Sequence, residues 1–172
     1  RYPVPPASGG AYTGISIGGG EGSISADGKY LVLIGAKGTT DRFVIVWDAE
    51  NNQVDGTLTL SGWGSDLDNA HISQSGEYVV IASQRSGERG HRIYDRATLS
   101  FQRAYTGGSG TNSSNGFTGH MDIGYRVNGD EVMLRQRNDG ALVTVRLSDL
   151  NEQVEQSASA ASWAWHVSCR NI

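Results

Sequence analysis

Four residues occupy one place in a repeating pattern, and three of them can bind a metal or move a proton. Ser23, His71, Asp122 and His166 each stand immediately before a branched aliphatic residue: Ile24, Ile72, Ile123 and Val167. Imidazole nitrogen, carboxylate oxygen and thiolate are ligands for Zn²⁺ and other transition metals. His120 lies two residues before Asp122 and Cys169 three after His166. His120, Asp122, His166 and Cys169 therefore form a candidate set for a divalent cation, with Zn²⁺, Mn²⁺ and Ca²⁺ the ions considered. A neutral imidazole near a carboxylate can equally act as a general base. The competing reading is structural: polar side chains at such positions bind water and the inner-strand backbone of neighbouring units, and a lone cysteine is a small core residue.

The elements that would position these residues are short strands in a fixed order. The first unit runs through Ser23-Ile24-Ser25, the turn Ala26-Asp27-Gly28-Lys29, the apolar run Tyr30 to Ile34, Phe43 to Asp48, the turn Glu50-Asn51-Asn52 and a last strand near Val54 to Leu60. The second repeats it with His71-Ile72-Ser73, Gln74 to Glu77, Tyr78 to Ile81, His91 to Asp95 and Leu99 to Tyr105. Gly28 and Gly76 are 48 positions apart, and Trp47-Asp48 and Tyr94-Asp95 are 47 apart. A third unit follows the glycine-rich stretch Gly107 to Gly119. There Arg146-Leu147 replaces the aromatic-Asp pair, and a fourth unit opens at Trp165-His166.

Repeats of this length, each a four-stranded meander, indicate an all-β fold of the β-propeller type with blades of about 45–50 residues. A β-sandwich with coincidental spacing is the alternative. The expected organisation is an extended arm and short strand over 1–20, then a partial propeller over 21–172. Its blades fall at about 21–62, 69–106 and 120–157, with the first strand of a fourth at 163–172. Such a set does not close a ring, which takes four to eight blades, so the remaining blades are expected from the same or another chain.

The stretches Ser25-Ala26-Asp27-Gly28-Lys29-Tyr30 with Val46-Trp47-Asp48, and Ser73-Gln74-Ser75-Gly76-Glu77-Tyr78 with Ile93-Tyr94-Asp95, resemble the WD40-like and YVTN-like propeller families. Gly119-His120-Met121-Asp122 and His166 to Asn171 also look like segments of secreted bacterial propellers related to oligogalacturonate and ulvan lyases. That second resemblance implies β-elimination on an acidic polysaccharide: His71 and His91 as acid/base residues, Arg170 neutralising the uronate carboxylate, and Tyr125 the nearest candidate for the catalytic tyrosine. The alternative is a non-catalytic propeller that binds a glycan or a protein partner as an assembly module.

Composition narrows the classes. Only 19% of residues are charged, glycines number 24 and the formal net charge is -4. A turn-rich β protein fits this balance, and a partner of nucleic-acid type does not, since no basic field is present. No run approaches the roughly 18 apolar residues of a membrane-spanning helix. The single Cys169 makes no internal disulfide. Low lysine content and Asn/Gly/Ser/Thr-rich loops suggest a secreted or periplasmic protein, with any signal peptide already removed or never present. Arg85, Arg89, Arg92 and Arg96 read as a solvated edge beside Glu88 and Asp95, or as contacts for an acidic polymer. Trp63, Trp163 and Trp165 read as packing residues or sugar-stacking faces.

Overall fold

The computed structural model describes residues 14–16, 23–86, 88, 90–106, 122–125, 128–136 and 141–156. These residues contain thirteen strands in three antiparallel sheets, and no α-helix occurs among them. The first sheet holds β1 (Gly14–Ser16), β2 (Ser23–Ile24), β3 (Tyr30–Lys37), β4 (Asp41–Asp48) and β5 (Gln53–Leu60), with β1 and β2 both paired to β3. The second is the meander β6 (Leu67–Ile72), β7 (Tyr78–Ser83), β8 (Gly90–Asp95) and β9 (Phe101–Tyr105). The third repeats it with β10 (Asp122–Tyr125), β11 (Glu131–Gln136), β12 (Leu142–Arg146) and β13 (Glu152–Gln156).

The second strand of the middle sheet is apolar on both faces because that sheet is packed between two neighbours. On β7, Val79 and Ile81 face the first sheet and join Val32, Val44, Val46 and Trp63. The alternate residues Val80 and Ala82 face the third sheet, beside Met133, Val143 and Val145. The period-two alternation of a strand thus builds two cores from one continuous hydrophobic run. Trp63 belongs to the first of these cores.

Backbone register makes the repeat quantitative. Ile24, Ile72 and Ile123 pair with Leu31, Val79 and Met133, so the residues before them, Ser23, His71 and Asp122, hold equivalent places opposite Val32, Val80 and Leu134. The turn that follows is built on serine. Tyr30 N donates to Ser25 Oγ at 3.0 Å and Tyr78 N to Ser73 Oγ at 2.9 Å. Gly28 N and Gly76 N reach back to the same serines' carbonyls at 2.9 and 3.0 Å. Both glycines have φ near +76°, at 75° and 77°, where a side chain is strained. In the third sheet Gly124 stands at the serine position and strand pairing continues through Tyr125 and Glu131.

The second turn corrects one expectation. Ala49, Arg96 and Leu147 donate equivalent backbone bonds to Lys29, Glu77 and Glu131, so Arg146, rather than Leu147, occupies the position of Asp48 and Asp95. Val145-Arg146 therefore replaces the aromatic-Asp pair. The cap is kept with its polarity reversed. Asp48 accepts from Asn51, and Asp95 from Thr98, three residues on. Arg146 instead donates to Asp149, again three residues on, at 2.8 and 2.6 Å. The Arg146 guanidinium holds the Asp149 carboxyl down at about 2, helped by the Asn151 amide. Arg146→Asp should lower the urea midpoint by setting a new carboxylate against Asp130 and Asp149. Adding Asp149→Asn should restore most of the loss by recreating the cap seen at Asp48 and Asn51.

Candidate functional site

Several polar side chains of the described residues bridge the seams between sheets. At the first seam, Ser23 Oγ accepts from Ile72 N at 2.9 Å and donates to Ile72 O at 3.1 Å. Ala26 N donates to Gln74 O at 2.8 Å. Arg96 donates to Asp55 at 2.6 Å and to Gly76 O at 3.0 Å, and its guanidinium lies 4.1 Å from the centre of the Tyr30 ring. Leu99, held at φ 53°, places its side chain where a β-carbon on Gly56 would come within 2.9 Å of it. The second seam uses different partners. Gln74 donates to Ile123 O at 3.2 Å, Ser75 donates to Glu131 through both N and Oγ, and Arg103 donates to the carbonyls of Leu147 and Ser148.

A fully buried imidazole lies in this second seam. His91 on β8 is 1% exposed, in register with Ala82 on β7 and Tyr105 on β9. Arg135 on β11, 3% exposed, brings Nη1 to 3.4 Å from His91 Nδ1. Because arginine only donates, Nδ1 is the acceptor and the imidazole proton resides on Nε2. The same guanidinium lies 5.1 Å from the centre of the Tyr105 ring, and the Tyr105 hydroxyl donates to Glu152 on β13. Burial first, then the charges of Arg135 and His71, push the His91 imidazole down to about 3. His91 is therefore a neutral hydrogen-bond acceptor at physiological pH.

His71 on the inner strand β6 is partly exposed and sits two residues along the ladder from the row of His91, a rise of about 7 Å. Ser23, its equivalent, binds the next sheet's inner-strand backbone, as the structural reading expects. Tyr125 is 41% exposed at the turn end of β10, opposite Glu131. Partial burial, with Glu131 and Glu77 nearby, raises its phenol above the usual tyrosine range. Glu131 lies four residues along β11 from Arg135, so Tyr125 and the His91 row are about 13 Å apart along the strand.

His120, His166, Cys169 and Arg170 lie outside the described residues, as does the Asp122 side chain, whose backbone pairs with Leu134. Among the described residues no three His, Cys, Asp or Glu side chains gather as a metal site. Arg89, Trp163 and Trp165 also fall outside them. Arg85 stacks 5.6 Å from the Trp63 ring centre, and Arg92 lies 4.3 Å from that of Phe101 while pairing with Glu88 at 3.5 Å. Arg96 pairs with Asp55 of the neighbouring sheet. The sequence reading passed over Arg135, Tyr105 and Glu152. A signal for Arg135 was present: aligned by register, it stands where β3 has Leu33 and β7 has Ile81.

No protein-family model and no curated protein matches the chain. Among solved structures it is similar to an uncharacterized protein from Listeria monocytogenes EGD-e, with 12% identity and a TM-score of 0.52 over 83% of this chain and 40% of that one. It is also similar to the Dos1 propeller, with 14% identity and a TM-score of 0.51 over 86% of this chain and 33% of that one. The described sheets are blades of an incomplete β-propeller. The chain spans two fifths and one third of the length of these two solved chains. In propeller terms β2, β6 and β10 supply inner strands, and the seams described above are the contacts between adjacent blades.

Proposed function

We propose that this propeller segment serves as a non-catalytic binding and assembly module for a protein partner. The observation that carries this reading is the enclosure of His91: one of the two histidines suited to proton transfer is sealed between blades and holds an arginine. A general base must come within hydrogen-bond reach of the proton it removes, which a residue in a packed seam does not do. The exposed outer strand of the second blade suits a partner instead. Phe101 is 48% exposed and backed by the Arg92 guanidinium, and aromatic and arginine side chains are enriched in protein interfaces. Further blades fit the same reading, since Ile24 is about half exposed where its equivalents Ile72 and Ile123 are buried against a preceding blade.

The rival reading, β-elimination of a uronate polymer with or without a divalent cation, rests on His71, Tyr125 and residues outside those described. The two are separated by incubating the protein with polygalacturonate or ulvan, with and without Zn²⁺, Mn²⁺ or Ca²⁺, and following the ultraviolet absorbance of unsaturated uronate ends. The binding module should produce none. Unsaturated ends that accumulate with the wild-type chain and vanish in a folded His71→Ala variant would overturn it.

A further inference from the structure

We propose that the seam between the second and third blades is an acid-sensitive joint, whose open population grows as the medium falls below about pH 6.5 while that of the seam between the first and second blades does not. The two seams are built from groups with different proton chemistry. The first is held by the Ser23 hydroxyl, backbone carbonyls and the Arg96–Asp55 pair, and none of these contacts involves a histidine. The second includes an imidazole that must remain neutral to accept from Arg135. The charged or titratable groups facing or linked to His91 include Arg135 from β11, His71 from β6 and Tyr105 from β9, the last tied to Glu152 from β13.

A proton on His91 would remove the acceptor and set an imidazolium against a guanidinium in a buried place. Opening of the joint returns the imidazole to water, where it titrates near 6.5. The closed form holds it at about 3, so the closed form binds fewer protons throughout the interval between those values. The contribution to seam stability is therefore complete above about pH 6.5 and is lost as the pH falls from there toward 3. Between pH 7.5 and 5.5 the open population should rise about tenfold.

The test is hydrogen exchange of the full chain at pH 7.5 and 5.5, corrected for intrinsic rates. Amides of β11 and β12 should show about a tenfold increase in opening, and those of β3 and β4 should be unchanged within about twofold. His91→Gln, which keeps a hydrogen-bonding side chain without titrating, should abolish the difference, whereas His71→Gln should leave most of it. Equal acceleration in all blades, or a response that survives His91→Gln, would overturn the proposal. Should His91→Gln not fold, Arg135→Met serves instead. Removing the guanidinium leaves burial, the larger cause, in place, so a rise of about tenfold confined to β11 and β12 should persist, and a response that is absent or shared by β3 and β4 counts against the joint.

Discussion

Gly90→Ala should destabilise the protein by at least about 3 kcal/mol, a large part of a typical domain's stability. Gly90 begins β8 at φ 129°, a region closed to residues with a side chain. A β-carbon there would lie 2.4 Å from Tyr105 O and 3.2 Å from Thr106 Cα, both backbone atoms. Those atoms cannot withdraw without breaking the pairing of His91 with Tyr105, which frames the buried seam. Gly28→Ala is the control. Its φ of 75° carries strain, yet nothing lies within 4 Å of the added carbon, so a loss of about 1 kcal/mol is expected. Urea unfolding of both variants measures the difference; equal losses would mean that the close approach at Gly90 does not constrain the fold.

Arg135→Ala should be comparably severe, at about 3 kcal/mol. It removes a stacked guanidinium from the Tyr105 ring, deprives the buried His91 Nδ1 of its donor and leaves space in a packed seam. Arg135→Met fills most of the volume and should recover roughly half, because a buried charge contributes less net stability than its contacts suggest. A larger loss for Met than for Ala would show that packing is not the shared cause. Loss of cooperative unfolding in either variant, with the first two blades still protected, would locate the damage at the second seam.

The fold was legible because blades repeat their local chemistry. Ser25 and Ser73 with Gly28 and Gly76 define the same turn, and the 48-residue spacing carries the period. The third blade was harder to align for a physical reason. Its cap exchanges Asp for Arg146 and recovers the same bond with Asp149, so a search for an aromatic-Asp pair lands one residue late. The alignment of Ser23, His71 and Asp122 was readable, because strand register follows the hydrophobic pattern. What these side chains do was not readable. Whether a polar residue on an inner strand faces a channel or a neighbouring blade depends on packing between units more than 40 residues apart, as the Ser23–Ile72 bonds illustrate. Arg135 escaped notice for the same reason: its meaning comes from His91, 44 residues earlier, and from the Tyr105 ring.

The central claim is that His91 is a seam fastener, and the most direct measurement is its imidazole titration by two-dimensional NMR, assigned with His91→Gln. The ring should hold its proton on Nε2 and stay neutral from pH 8 to below pH 5 for as long as the third blade remains folded. A reversible titration near 6.5 with every blade still protected would contradict the account, placing His91 in water and reopening its candidacy as an acid/base residue.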